Sequence, residues 1–279
     1  LKVPIGLVNA SWGGTPAEVW TPREIIENDV QLREAAEQIS PTPWWPSNTA
    51  YAYNAMIAPL NSYKISGVLW YQGESNTGRA NLYPHLFTNM IQSWRKAWKD
   101  DFPFYYVQIA PFNYDRPLIG ALLREAQTQS SYLPKTGMVV ISDLVDDVRD
   151  IHPQNKKEVA ERLARLAMAE TYHKPIGAYT YPSYRNMFIE GSRVRLFFDH
   201  AENGLLARNG ELTDFMIAGE DRKFVKAVAK IEGQTVIVSS SEVKKPLAVR
   251  FGFSNTAMPN LFSREGLPVN LFRTDSWEQ

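Results

Sequence analysis

The sequence predicts an α/β protein in which a doubly wound, mostly parallel sheet precedes a β-rich C-terminal region. Short apolar runs alternate with helix-patterned segments from Ile5 to about Tyr172, as in chains of βαβ units. The runs at 102–111 and 137–144 are continuously apolar, which is typical of buried parallel strands. Beyond about residue 177 short alternating runs follow one another. We therefore expect an α/β domain over 1–177 and a β-rich domain over 178–279.

The elements of the first region follow from local patterns. Strands are predicted at Ile5–Val8, within 65–74, and in the two apolar runs. Helices are predicted at 21–40, 83–100, 121–133 and 155–172 from apolar residues spaced three and four apart. The Pro-rich stretch 41–50 predicts a loop, and 52–60 predicts a short helix that ends at Pro59.

In the second region, strands are predicted within four stretches. They are 193–200, 215–220, 223–240 and 247–254, the third being divided by a turn at Glu232 and Gly233.

Composition excludes several classes of function. Thirty basic and thirty acidic side chains cancel without forming a basic stripe, so neither nucleic acid nor an anionic membrane is expected as a partner. The absence of Cys excludes a disulfide framework, a thiolate metal site and a Cys nucleophile. No apolar run approaches the length of a membrane span. The aromatic content of 12% is compatible with sugar binding, although core packing accounts for most of these rings.

Polar residues follow two of the predicted strands. The stretch QGESN, residues 72–76, is either a turn or a site, because ligands of open α/β sheets bind at the carboxyl ends of strands. After Ile5–Val8 come Gly13 and Gly14, whose backbone N–H groups can approach a ligand closely and form an oxyanion hole. A tight turn is the alternative.

His152 and Asp150 lie after the last strand, near Asp143, Asp146 and Asp147. A His beside a carboxylate at this position is a candidate general base with its orienting acid, although a surface His near acids is common. The spacing fits neither a zinc site nor a calcium loop, so no metal is expected. The remaining histidines are interpreted as ordinary helix, loop or strand-edge residues: His85, His173 and His200.

Together these segments resemble the sialate O-acetylesterase family, SGNH-type serine esterases that act on acetylated sugars. The resemblance rests on VPIGLVNASWGGTPAEVWT, YNAMIAPL, GVLWYQGESN, FPFYYVQIAP, DIHPQNKKEVAERLA and NLFSREGLPVNLFRTD, in that order along nearly the whole chain. It implies an SGNH, flavodoxin-like fold and removal of O-acetyl groups from sugars such as sialic acids, without a cofactor. It also implies a secreted or periplasmic protein, or a lysosomal one in a eukaryote.

The resemblance assigns roles to individual residues. His152 would be the general base and Asp150 its orienting acid, with Glu74 as a rival or additional acid. The oxyanion and substrate-binding set would be Gly13, Gly14, Gln72 and Asn76.

The nucleophile of the family lies in a Gly-Gln-Ser-Asn block that this sequence lacks. Ser11 and Ser75 belong to other blocks, so neither is assigned as the nucleophile. Because the chain opens abruptly on a predicted strand, we expect the serine on upstream sequence or on a companion chain.

Two alternatives stay open. The first is a catalytically inactive relative that binds acetylated sugars. The second is a glycoside hydrolase with Glu74 and Asp150 as paired carboxylates, which would need a separation of about 5–10 Å.

Overall fold

The computed structural model describes residues 1–277 and confirms the predicted fold class. Residues 278 and 279, at the end of the second predicted domain, lie outside the described residues. The first region contains a three-stranded parallel sheet in the order β1–β2–β3. Its strands are β1 (Val68–Trp70), β2 (Phe104–Val107) and β3 (Thr136–Val139), and its helices are α1 (Arg23–Glu27), α2 (Val30–Glu37), α3 (Tyr83–Trp98), α4 (Ile119–Ser130) and α5 (Lys156–Glu170).

Helices cover both faces of this sheet because β2 presents apolar side chains alternately to each side. Phe104 and Tyr106 pack with residues of α3 and α4 in one core. Tyr105 and Val107 pack against α5 in a second core. The four residues of β2 are all buried, as the continuous apolar run predicts.

Residues 5–8 do not form the predicted strand. A strand needs a hydrogen-bonded neighbour, and no backbone hydrogen bond within residues 1–277 pairs this segment with another. Its apolar side chains are exposed, Leu7 by 88%. The segment is apolar, but the neighbouring strand that it would need is absent from the described residues.

Two predicted helices differ in detail from the structure. The helix expected over 21–40 is divided into α1 and α2, because the Asp29 carboxylate caps the Leu32 amide at 3.0 Å and starts a new helix. The segment 52–60 forms a π-helical turn at Tyr53–Ile57 and a 3₁₀ turn at Ala58–Leu60. Pro59 lies in the 3₁₀ turn, near its start, where a missing N–H is tolerated.

The second region is a pair of facing antiparallel sheets with an added two-stranded ribbon. One sheet has the order β4–β5–β10–β9, the other β13–β11–β7–β8, and the ribbon pairs β12 with β6. The strands are β4 (Ser183–Glu190), β5 (Arg193–Asp199), β6 (Leu205–Ala207), β7 (Phe215–Ala218), β8 (Val225–Lys226), β9 (Val228–Glu232), β10 (Thr235–Ser239), β11 (Ala248–Phe251), β12 (Leu261–Ser263) and β13 (Phe272–Arg273). Leu196 and Val238 of the first sheet share one core with Ile217 and Phe251 of the second.

Polar contacts join the two regions. Arg273 makes a bidentate pair with Glu125 of α4, with both N–O distances at 2.8 Å. Gln108, which follows β2, donates to the Asn270 side chain at 2.9 Å. The buried Arg124 guanidinium donates to the carbonyl of Ser254. The second region is therefore held against α4 and the end of β2 by these polar contacts. The domain boundary at residue 177 stays a prediction.

Candidate active site

Two turns meet at the carboxyl end of β1 and form the centre of the candidate site. The Ser75 hydroxyl donates to the Gly14 carbonyl at 2.6 Å, and the Gln72 side-chain amide donates to the Thr15 carbonyl at 3.2 Å. The Asn76 side-chain oxygen accepts the Ala17 amide at 2.9 Å. The turn over 13–15 is therefore fixed against the QGESN turn, although the strand that was expected to precede Gly13 and Gly14 does not form.

Asn76 is a buried side chain that links these two turns by hydrogen bonds. It is 1% exposed, and its oxygen also accepts a hydrogen bond from Gln72 at 2.7 Å. Its nitrogen donates to Glu18 at 2.9 Å, and Glu18 in turn pairs with Arg79 at 3.3 Å. A buried polar network of this kind fixes one backbone arrangement, since each lost partner leaves an unsatisfied group.

Gln72 is occupied at both ends of its amide. Its nitrogen donates to Thr15 and to Asn76, while its oxygen accepts from the Tyr83 hydroxyl at 3.2 Å. In this arrangement Gln72 has no N–H left for an oxyanion, because a side-chain amide has two donors.

Gly13 and Gly14 present exposed backbone to the same space. Among residues 1–277 neither amide N–H has a hydrogen-bond partner. Gly14 has a φ of +80°, and a Cβ there would lie 2.5 Å from the ring of Trp45. This position therefore requires glycine both for its conformation and for the close approach of Trp45.

Glu74 is a partly buried acid beside the two turns. Burial raises the pKa of its carboxyl above the ordinary value, and the charges of Lys156 and His152 act in the opposite direction. Burial raises the pKa of the Tyr71 and Tyr114 phenols, and the negative charge of Glu74 adds to this rise. An acid with a raised pKa next to a His is typical of catalytic sites.

His152 lies on the loop between β3 and α5, with its side chain 85% exposed. Its Nδ1 is 3.6 Å from the Asp150 carboxylate, which also accepts the His152 backbone amide at 2.9 Å. Asp150 thus closes a tight turn that bends its carboxylate toward the ring. The second candidate acid, Glu74, makes no hydrogen bond or ion pair with His152, whose charge only slightly opposes the effect of burial on the pKa of Glu74.

The other acids of this loop have different partners. Asp143 forms a bidentate pair with Arg162 of α5 at 2.7 and 2.8 Å. Asp147 binds Arg149, and this hydrogen bonding lowers the pKa of Asp147 to about 2. In the described part of the chain no three His, Asp or Glu side chains gather as a metal site would require.

Neither serine near the site is placed as a nucleophile. Ser75 donates its proton to Gly14, and Ser11 donates to the Asn9 side chain at 2.7 Å. A nucleophilic serine needs a base within hydrogen-bond reach, and no hydrogen bond joins either hydroxyl to His152.

Four residues of the site were missed by sequence reasoning. Glu18, Tyr83, Trp45 and Lys156 lie on four different segments, so no local pattern connects them. Only Trp45 could have been suspected from the sequence, because a large aromatic side chain in the Pro-rich loop 41–50 suggests a packing or binding role rather than a simple connection.

Residues 1–169 match the family described as "SASA: Carbohydrate esterase, sialic acid-specific acetylesterase". The chain belongs to the sialic acid-specific acetylesterase family. This confirms the resemblance inferred from the motifs. The family match covers the sheet, its helices except for the last residue of α5, and every candidate site residue from Gly13 to His152.

Individual relatives agree with this membership. The sialate O-acetylesterases of Mus musculus and Rattus norvegicus are 32% and 33% identical, over 74% and 62% of this chain. A solved carbohydrate acetylesterase from Xanthomonas citri is 38% identical, with a TM-score of 0.87 over 99% of this chain. The aligned parts are 44%, 40% and 62% of the mouse, rat and bacterial proteins, so this family member spans less than two thirds of each relative.

No helix within residues 1–277 is both long and apolar enough to cross a membrane.

Proposed function

We propose that this chain forms the greater part of a carbohydrate O-acetylesterase active site, which removes acetyl groups from sugars, most directly from sialic acids. The observation that carries the proposal is the hydrogen bonding of the 13–15 turn to the QGESN turn, with the start of α5 beside them: the ammonium nitrogen of Lys156, four residues after His152, lies 4.9 Å from the ring centroid of Tyr71. Family membership and the names of the relatives favour the acetylated sugar as substrate. A secreted, periplasmic or lysosomal location would suit such a substrate.

The reaction would proceed through an acyl-enzyme. His152 takes the proton of a serine hydroxyl as the serine oxygen attacks the acetyl carbonyl, and then gives that proton to the departing sugar oxygen. Water then attacks the carbonyl carbon of the acetyl-serine ester while His152 takes its proton; the bond between this carbon and the serine oxygen breaks, acetate leaves, and His152 returns the proton to the serine oxygen. An acid beside His152 fixes its tautomer and stabilises the imidazolium.

Asp150 is the acid that we assign to this role, with Glu74 as its rival. The Asp150 carboxylate lies 3.6 Å from Nδ1 of His152, whereas no ion pair or hydrogen bond joins Glu74 to His152. Asp143 does not fit this role, because both of its carboxylate oxygens are bound by Arg162 and neither is free to orient His152.

The oxyanion donors are the backbone N–H groups of Gly13 and Gly14. Both amides lack internal partners, and both belong to the turn that the QGESN segment holds in place. Gln72 and Asn76 would support this turn, and Gln72 would reach the oxyanion only after exchanging one of its present hydrogen bonds. One oxyanion donor is worth about 3–4 kcal/mol in the transition state.

We place the nucleophilic serine on sequence outside these 279 residues. Ser11 and Ser75 are engaged in other hydrogen bonds, and the outer edge of β1 pairs with no strand among the described residues. A further strand on that edge would bring its carboxyl end to the two turns. This companion segment is either continuous with the chain or a separate polypeptide.

Acetate release from an O-acetylated sialic acid tests the proposal. We expect turnover by the full-length protein and little turnover by residues 1–279 alone. Asp150→Asn should lower kcat by up to about 10⁴-fold if Asp150 orients His152. A nearly silent Asp150→Asn beside a strongly impaired Glu74→Gln would assign the role to Glu74, and acetate release lost with Ser75→Ala would show that the nucleophile lies in this chain.

A non-catalytic sugar-binding protein is the second candidate, favoured by the high exposure of His152 and the occupied serines. It predicts saturable binding of the acetylated sugar by the full-length protein without release of acetate.

A further inference from the structure

Lys156 is a cationic side chain beside the candidate site that the esterase mechanism does not use. It is the first residue of α5, four positions after His152. Its ammonium nitrogen lies 4.9 Å from the ring centroid of Tyr71, the residue that follows β1. Its charge also reaches Glu74, whose pKa it lowers against the larger effect of burial. Lys156 therefore lies next to both the QGESN turn and the His152 loop.

The side chain of Lys156 is exposed, and its ammonium group has no carboxylate partner within salt-bridge distance in residues 1–277. Its neighbour Lys157 differs in this respect, since it pairs with Glu161 at 3.7 Å one helical turn away. Glu74 is a poor competitor for Lys156, because burial favours the protonated form of that acid. The charge of Lys156 is thus available to an anion that enters the site.

Tyr71 gives this charge a defined position. An ammonium group above an aromatic ring is attracted to the negative face of the ring. The same ring is about one third exposed and can pack against the apolar face of a sugar. Cation and ring together form a surface that suits a hydroxylated ring with a carboxylate on it.

We propose that Lys156, held above Tyr71, binds the carboxylate of an acidic sugar and makes the site prefer O-acetylated acidic sugars, such as sialic acids, to neutral acetylated sugars. This inference rests on the proposed function and names the residue that determines its substrate class. A sialic acid carries one carboxylate that is ionised at neutral pH, whereas acetylated neutral sugars such as xylose units carry none. Lys156 is thus a specificity-determining residue rather than a catalytic one.

Ligand binding by residues 1–279 tests this directly, because it needs no nucleophile. The two probes are an O-acetylated N-acetylneuraminic acid and its methyl ester, which differ in one charge, titrated by NMR or calorimetry. We expect the acid to bind about three- to tenfold more tightly than the ester, as for a partly exposed charge-assisted contact. Raising the salt concentration should reduce this ratio.

Three variants isolate the charge of Lys156. Lys156→Gln should bring the acid-to-ester affinity ratio close to one, and Lys156→Arg should restore it. Lys157→Gln is the matched control on the adjacent, Glu161-paired residue and should keep the wild-type ratio. A wild-type ratio of one, or a ratio unchanged in Lys156→Gln, would overturn the inference.

The full-length protein supplies an independent readout, the ratio of kcat/KM for the acid to that for the methyl ester. If Lys156 determines specificity, Lys156→Gln lowers this ratio. If Lys156 serves only as a counter-ion for Glu74, both substrates slow in parallel and the ratio stays constant, which contradicts the inference. Failure to release acetate from either probe would refute the proposed function alone, since the affinity ratio of residues 1–279 is measured without turnover.

Discussion

The Ser75 hydroxyl donates a hydrogen bond to the carbonyl oxygen of Gly14 at 2.6 Å. Sixty-one residues separate the two in sequence, and the contact joins the two turns that form the site. A serine beside an acid in a family of carbohydrate esterases is an obvious candidate nucleophile. Its geometry here is that of a structural hydroxyl.

Ser75→Ala should therefore weaken the fold slightly without removing catalysis. Loss of one such hydrogen bond costs about 1 kcal/mol. Urea unfolding of residues 1–279 measures this loss, and acetate release by the full-length protein measures activity. Complete loss of acetate release with an unchanged unfolding midpoint would identify Ser75 as the nucleophile instead.

Asn76→Ala should destabilise the chain by about 2–5 kcal/mol. The substitution removes the acceptor of the Ala17 amide and of Gln72, and it leaves the buried Glu18 without its amide donor. Asn186→Ala on the exposed outer side of β4 is the control and should change the stability by less than about 0.5 kcal/mol. Equal effects of the two substitutions in urea unfolding would rule out an organising role for Asn76.

Gly14→Ala should impair activity more than Gly13→Ala. A Cβ on Gly14 meets the Trp45 ring and forces a non-glycine residue to a φ of +80°, whereas a Cβ on Gly13 meets nothing within 4 Å. The expected cost at Gly14 is about 1–3 kcal/mol in stability, with displacement of the turn. Acetate release and thermal unfolding of the two variants provide the comparison, and equal behaviour would show that Trp45 moves freely.

Glu74→Gln should stabilise the protein at neutral pH. Because burial raises the folded-state pKa of Glu74, the folded state holds this proton more tightly than the unfolded state does. The contribution of Glu74 is thus fully present below its ordinary pKa of 4.5 and is lost as the pH rises through the folded-state value. The difference in Tm between Glu74→Gln and wild type should grow from near zero at about pH 4 toward neutral pH. A Tm difference that does not change with pH would mean that ionisation of Glu74 does not destabilise the folded state.

In the first region, the elements whose structure follows from their own local sequence pattern were predictable. α3 and α5 have helical apolar spacing, and β2 is buried on both faces, so local pattern sufficed. Ile5–Val8 has the same apolar character, but a strand also depends on a partner, which the pattern of one segment does not contain. Short strands such as β6 and β12 were missed because they stabilise each other across 56 residues.

The candidate site was predictable in part for the same reason. The position of Gln72 and Asn76 after β1 was predictable from the apolar run before them, whereas Gly14 lies beside them without the strand that was expected to precede it. The roles of His152 and Asp150, which the resemblance implied, stay predictions. The partners that occupy Gln72 and Asn76, namely Tyr83 and Glu18, come from other segments. Sequence spacing could not reveal that the amide donors of Gln72 were already in use.

His152 is the proposed general base of an O-acetylesterase, and a pair of histidine variants distinguishes this role from that of an ordinary surface histidine. His152→Asn and the control His200→Asn, at an exposed position with a φ of +59° that Asn tolerates, should fold equally well. Acetate release from an O-acetylated sialic acid by the full-length protein should fall by at least about 10²-fold in His152→Asn and remain near wild type in His200→Asn. Acetate release that persists at the wild-type rate in His152→Asn would show that His152 is not the general base.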